Sequence, residues 1–236
     1  MKLKHIAAAV AFTALASSSY AAGFVGFGMD AELQFKSTGG DSVKTNAFSG
    51  MEYSQNTSLS GEHEVIGALG VNYGFSLAPR WVLQVGAKAD LMKTDVHNRV
   101  NGVRIGAYGA TEFENLEEKS HYSVFVAPGY LIHAGTMIYA KFSYHQMKLD
   151  GSNGFTRVDV GINEAKSFGI GSSFKGFGVG VGVQTLVTKN LYAFAEVNHI
   201  RYGSEVVGAP VELAADGAWT VEPRTTSGSI GIGWRF

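Results

Sequence analysis

Between Gly228 and Phe236 the chain alternates without a break, with Ile230, Ile232, Trp234 and Phe236 on one side and Ser229, Gly231, Gly233 and Arg235 on the other. A period of two is that of a β-strand, whose successive side chains point to opposite faces. One face of this strand is wholly apolar. The other offers small and polar residues where a soluble sheet would usually place charges. A greasy exterior over a polar interior is how a strand of a membrane-spanning barrel reads. A soluble terminal strand shares the periodicity, so the reading depends on whether the pattern repeats.

At the other end Lys2 and Lys4 precede an apolar run from Ile6 to Ala16, followed by Ser17, Ser18, Ser19, Tyr20, Ala21 and Ala22. A basic start, a short apolar core and a small-x-small site form a secretory signal peptide, expected to be cleaved after Ala21. Residues 1–21 are then the leader and 22–236 the mature domain. The run is shorter than the roughly 20 apolar residues of a helical span, and no later run is long enough either. A net charge of −1 and the lack of any basic stripe argue against nucleic acid as a partner.

The alternation recurs along the whole mature chain. Val25 to Lys36 sets Val25, Phe27, Met29, Ala31, Leu33 and Phe35 against Gly26, Gly28, Asp30, Glu32, Gln34 and Lys36. Similar segments follow at Val65–Leu77, Trp81–Leu91, Tyr122–Ile132, Met137–Met147, Gly176–Gln184 and Leu191–Asn198. Pro128 interrupts the fourth, where a bulge is expected because proline cannot donate to a ladder. In the sixth, glycine at every second position suits an interior face crowded by larger residues from its neighbours. With the terminal strand this gives eight strands.

Three connections are short: Ala78–Arg80, His133–Thr136 and Val187–Asn190. Four are long and polar: Ser37–Gly61, Met92–Ser120, Lys148–Ser167 and Gly203–Pro223, although Gly102–Thr111 could extend neighbouring strands. With both termini on one side, every short turn falls on that side and every long loop on the other. Short periplasmic turns and long extracellular loops are the rule in outer-membrane barrels. The fold class expected is therefore all-β, an eight-stranded antiparallel up-and-down transmembrane β-barrel. Strands of about 10 residues also suit a tilted membrane crossing.

The signal peptide, the eight alternating segments and the ending Ser229-x-Gly231-x-x-Trp234-x-Phe236 resemble the OmpA-like and opacity-protein group of small outer-membrane barrels. Leu191 to Glu196 is similar to that group's penultimate strand, which carries an inward Glu. The resemblance implies that Ser229, Gly231, Trp234 and Phe236 form the C-terminal signal read by the barrel-assembly machinery. It further implies periplasmic chaperones during biogenesis, contact with outer-membrane lipid and lipopolysaccharide, and host or phage surface ligands for the loops. The group holds structural proteins and adhesins, so a structural or surface-interaction role is expected, with a narrow porin-like channel as the alternative and a lipid A-modifying enzyme behind it.

By face parity Asp30, Glu32, Lys36, Lys88, Asp90, Lys141, Glu196 and Arg235 all point inward. An eight-stranded barrel is just wide enough for its side chains to fill. Charges at membrane depth are costly unless paired, so ion pairs are expected among these. His121-x-Ser123 and Ser143-x-His145 each place a base and a hydroxyl on one face, but no Asp or Glu can be assigned to orient the histidine, so no catalytic residue is expected. The seven His are scattered, and no metal site or cofactor is expected. Tyr73, Phe75, Trp81, Tyr192, Trp234 and Phe236 lie near strand ends on the short-turn side, as an interfacial girdle would, though parity turns Tyr192 inward.

Overall fold

The structure, a computed structural model, describes residues 22–48, 51–59, 63–105, 108–159, 162–207 and 218–236. The leader, residues 1–21, lies outside these. A single turn of 3-10 helix at Ala22–Phe24 is followed by β1 (Gly26–Phe48), β2 (Met51–Leu59), β3 (His63–Ala78), β4 (Trp81–Asp90), β5 (Thr94–Ile105) and β6 (Tyr108–His133). The second half holds β7 (Thr136–Asp159), β8 (Ile162–Leu186), β9 (Leu191–Tyr202), β10 (Glu205–Val207) and β11 (Ala218–Arg235).

Eight of these strands form a ring in the order β1, β3, β4, β6, β7, β8, β9, β11, every pair antiparallel. Pairing of β11 with β1, from Gly28↔Arg235 to Thr45↔Ala218, closes the ring. Closure abolishes the unpaired edge that a strand in lipid could not satisfy. β2, β5 and β10 pair with β1, β6 and β11 beyond the ring and lengthen its far side.

Two of the short turns are two-residue hairpins, closed by Ala78↔Trp81 and His133↔Thr136. In the third, Val187 donates to Leu191 O at 2.8 Å. Asn190 fastens that turn to the chain end, donating from Nδ2 to Arg235 O at 2.6 Å while Arg235 N donates to Asn190 O at 2.7 Å.

The four long connections differ from the expectation in character. Their described parts are paired strands rather than irregular loop. β7 and β8 stay in register from Thr136↔Thr185 out to Asp159↔Ile162, and β5 pairs with β6 from Thr94↔Glu118 to Ile105↔Tyr108. Beyond the membrane neither face of a hairpin has lipid or core against it, so the apolar alternation fades. The backbone ladder needs no such alternation and continues. The strands are correspondingly longer than a bare crossing.

Pro128 does not make a bulge. It sits opposite Leu83 in an unbroken β4–β6 ladder, and on the β7 side pairing lapses between Val126↔Phe142 and Gly129↔Tyr139 without a change of register. The missing donor thus costs a short gap facing β7. The register shifts of β6 lie elsewhere, between Glu118 and Ser120 and between Leu131 and His133.

Side chains sort by parity. Phe35, Leu33, Phe142, Phe177 and Val181 are exposed on the outer face, where lipid replaces water, while Glu32, Lys36, Lys141 and Glu196 are buried inside. Apolar clusters close both ends of the lumen. Phe24, Val82, Ala127, Leu131, Met137 and Tyr139 pack together at the short-turn end. Met147, Leu149, Phe174, Ile200, Tyr202 and Val221 do so at the hairpin end.

Candidate functional site

Between these plugs the lumen holds two charge networks. In the lower one Lys88 Nζ lies 2.6 Å from Glu32 Oε2 and 3.6 Å from Glu196 Oε1, and Lys141 Nζ lies 2.7 Å from the same Glu196 oxygen. Tyr139 donates to Glu196 Oε2 at 2.9 Å, and Asn198 donates to Oε1 at 2.6 Å. Phe194 and Phe125 lie beneath the Lys88 and Lys141 ammonium groups at 5.1 and 4.7 Å. Two carboxylates and two ammonium groups balance, and each charge has hydrogen-bonding partners, the condition for charge at membrane depth.

Below this, Asn72 donates to Asp30 Oδ2 at 2.8 Å and accepts from Arg235 Nη1 at 2.7 Å. Arg235 also donates to Gly26 O at 2.8 Å, so it closes the base of the lumen through Asn72 rather than by a direct pair with Asp30. A cavity of about 20 Å³, room for one water, lies between Asp30 and Glu196. Asp30 Oδ1 and Gln184 Nε2, from its wall, have no protein partner.

The upper network is built on Lys36, Asp90, Glu118, His121 and His145. Lys36 Nζ donates to Glu118 at 2.6 and 2.8 Å and to Asp90 Oδ2 at 3.3 Å. Asp90 Oδ2 meets His121 Nδ1 at 2.8 Å, His121 Nε2 meets His145 Nδ1 at 2.8 Å, and His145 Nε2 meets Ser143 Oγ at 2.7 Å. Tyr202 Oη lies 3.2 Å from His121 Nε2. Gln34 ties the two networks together, donating to Glu32 at 2.7 Å and to Asp90 at 3.4 Å.

The eight charges expected inside by parity are therefore all in the lumen, six of them in these two networks and Asp30 and Arg235 below. Glu118, His121, His145 and Tyr202 were not among them. Parity alone would have supplied His121 and His145, which alternate with Tyr122 and Tyr144 on the outside. Glu118 has the parity of Tyr122 and by simple alternation would face lipid. The register shift between Glu118 and Ser120 inserts Lys119 as an extra residue, and Glu118 turns inward, 1% exposed.

The glycines of β8 are the counter-relief of this interior. A Cβ at Gly176 would stand 2.8 Å from the Tyr202 ring, and one at Gly178 would stand 2.6 Å from Ser143 Oγ and 2.8 Å from His145 Nε2. At Gly180 it would run into Asn198, and at Gly182 into the Tyr139 ring. In the terminal strand, Gly231 and Gly233 make room for Phe194 and Tyr192 in the same way. Ser229 is buried in the lumen, while Trp234 and Phe236 are on the outer face, with Phe236 5.8 Å from Phe27 between ring centres. Tyr73 and Trp81 are exposed at the same end, and Tyr192 is inside, as its parity required.

The model of the outer membrane protein β-barrel domain matches residues 7–236. The chain belongs to this family. No curated protein matches it. Among solved structures, this outer-membrane barrel is similar to Ail, the attachment invasion locus protein of Yersinia pestis, at 13% identity and a TM-score of 0.38, over 90% of this chain and 99% of that one. It is also similar to OprG of Pseudomonas aeruginosa, at 12% identity and 0.39 over 90% and 97%, and to the protease OmpT of Escherichia coli, at 11% and 0.40 over 89% and 97%.

Two chemical readings of the upper network can be weighed on its geometry. The sequence offered no acid to orient a histidine, whereas the folded barrel supplies Asp90, so hydroxyl, base and orienting acid do stand in line. Yet Ser143 is 6% exposed and lies beneath the upper plug, beside Gly178. Asp90, Glu118 and His121 also hold donor atoms within 4.8 Å of one another, a spacing that suits a metal ion. The Lys36 ammonium sits against both carboxylates and fills that position.

Proposed function

We propose that this outer-membrane barrel is a closed scaffold that works through its extracellular hairpins, in envelope integrity or adhesion-type contacts, and that it is not an enzyme. The observation that carries the reading is the lumen: charges held in hydrogen-bonded networks, with an apolar plug above and below. A path for solutes would need a wetted passage past Phe24 and Leu131 at one end and Phe174 and Ile200 at the other. Against that, the long ladders of β7 with β8 and β5 with β6 hold paired surface well beyond the apolar belt.

The reading includes export by the leader, with cleavage after Ala21 placing Phe24 in the lower plug soon after the new terminus. It also includes recognition of Ser229, Gly231, Trp234 and Phe236 by the barrel-assembly machinery, with periplasmic chaperones, and contact of the outer face with lipid and lipopolysaccharide. The test is a variant with residues 151–167 replaced by a short turn. The barrel should still assemble, shown by its heat-dependent gel mobility, while cells displaying it lose surface attachment or envelope resistance. Loss of neither phenotype, with the shortened barrel assembled, would refute the role assigned to the hairpins.

A further inference from the structure

His121 and His145 meet in an unusual way. Their rings lie within 7° of parallel with centroids 5.0 Å apart, and the facing nitrogens are only 2.8 Å apart. The rings therefore meet edge to edge, each aiming a nitrogen at the other. The Tyr202 hydroxyl joins them, 3.2 Å from His121 Nε2. These three polar atoms cluster inside the barrel, away from Lys36, which lies on the opposite, Nδ1 side of His121 with Asp90 and Glu118.

We infer that this point is a binding site for a late first-row divalent ion, Zn²⁺ or Cu²⁺, with His121 Nε2, His145 Nδ1 and the Tyr202 oxygen as protein ligands. Two imidazoles suit such ions in donor type, and the Tyr202 oxygen would join them as phenolate. In spacing the atoms are close to what the ion needs, and a pivot of the two rings, which now face each other, would aim both nitrogens at it. With metal–nitrogen bonds of the usual length and tetrahedral angles, ligand atoms stand about 3.3 Å apart. The His121–Tyr202 edge is already 3.2 Å, and the nitrogen pair needs to widen only a little from 2.8 Å.

The groups behind the ligands point the same way. Metal-bound histidines usually give their other N–H to a carboxylate, hydroxyl or carbonyl that fixes the ring. Asp90 stands at His121 Nδ1, and Ser143 stands at His145 Nε2. One proton is released per ion, the Tyr202 hydroxyl proton, which passes to solvent as the phenolate binds, and the imidazole protons balance among themselves. In the metal-free, neutral pair, Asp90 accepts from His121 Nδ1–H, His145 donates from Nδ1 to His121 Nε2, and Ser143 donates to His145 Nε2. On metal binding the His145 proton moves from Nδ1 to Nε2, and the Ser143 hydroxyl turns from donor to acceptor. Asp90 and Glu118 against Lys36 alone leave one negative charge in excess beside the ion. Gly178 leaves His145 room to pivot. Because the upper plug covers the site, the ion is loaded as the barrel folds.

The experiment refolds the mature protein in detergent with Zn²⁺ or Cu²⁺, removes free metal by gel filtration, and measures metal per barrel. The expected result is one ion per barrel in the wild type. His145→Gln and His121→Gln should each weaken retention at least 10-fold, and Asp90→Asn about 10- to 100-fold through the His121 ring. The surface control His199→Gln should leave it unchanged. Should a lumen variant fail to give the folded gel band, the Cu²⁺ spectrum of the wild type decides, since two imidazole nitrogens must appear in its hyperfine pattern. Retention of no metal by folded wild type, a spectrum without nitrogen, or loss in His199→Gln rather than His145→Gln would overturn the site.

Discussion

The two charge networks of the lumen sit one above the other and share β1, β4, β7 and β9, yet they are built differently, and only the upper one takes charged groups from β6. The lower one is closed: Glu32 and Glu196 face Lys88 and Lys141, with Tyr139 and Asn198 completing Glu196. The upper one is one cation short, since Asp90 and Glu118 share Lys36, and histidines make up the set. A balanced network can only hold strands together, whereas one with surplus negative charge and convergent imidazoles can still take something up. Breaking each network in turn is the way to test that difference.

The largest effects belong to the lysines of the two networks. Lys88→Met should strip the ammonium from Glu32 and weaken Glu196, destabilising the barrel by about 3–5 kcal/mol, as loss of one partner from a buried pair does. The midpoint of the heat-dependent gel shift measures it, and an unchanged midpoint would mean that the pair contributes little. Phe24→Ala, which empties the lower plug, should cost a comparable ~3–5 kcal/mol in the same assay. Lys36→Met in the upper network should cost a comparable ~3–5 kcal/mol, because buried Glu118 is left without its ammonium, although His121 still meets Asp90. An unchanged midpoint in Lys36→Met would mean that the upper network is not held by its one ammonium.

Gly182→Ala tests the relief that seats the lower network. Its methyl would meet the Tyr139 ring and stand 2.9 Å from Ala195 O, so a loss of about 1–3 kcal/mol is expected, with Tyr139→Phe giving no relief because the ring remains. The smallest effect is on the outside. Lys119 and Asp150 pair on the hairpin surface, where their mutual hydrogen bond holds the Asp150 carboxyl below its ordinary range and the Lys119 amine above its own. Such a contribution is present at neutral pH, fades as pH falls through the depressed carboxyl value, and fades again as it rises through the raised amine value. Both groups lie at the hairpin surface, where water screens the pair, so Lys119→Ala should leave the gel midpoint unmoved across that range.

What the sequence made legible follows from what membrane and core impose. Where lipid lies outside and packed side chains inside, every second residue is constrained, and Asp30, Glu32, Lys88, Lys141 and Glu196 could be placed by counting. Above the membrane that constraint lapses, so β5 and the outer halves of β7 and β8 read as polar loop although their backbones stay paired. Glu118 was hidden because one inserted residue, Lys119, reverses the count. The meeting of His121, His145 and Tyr202 was hidden for a different reason: the three lie on β6, β7 and β9, and only folding of the ring brings them together.

The sealed lumen is the claim on which the proposed function stands, and a planar bilayer tests it most directly. Mature protein that shows the heat-dependent mobility shift is inserted into a bilayer bathed in salt on both sides. The paired charges and two plugs predict no steady ion conductance, and conductance appearing in Lys88→Met or Phe24→Ala would show that these groups are what closes it. A steady, ohmic conductance from the folded wild type would contradict the sealed lumen and make the barrel a channel.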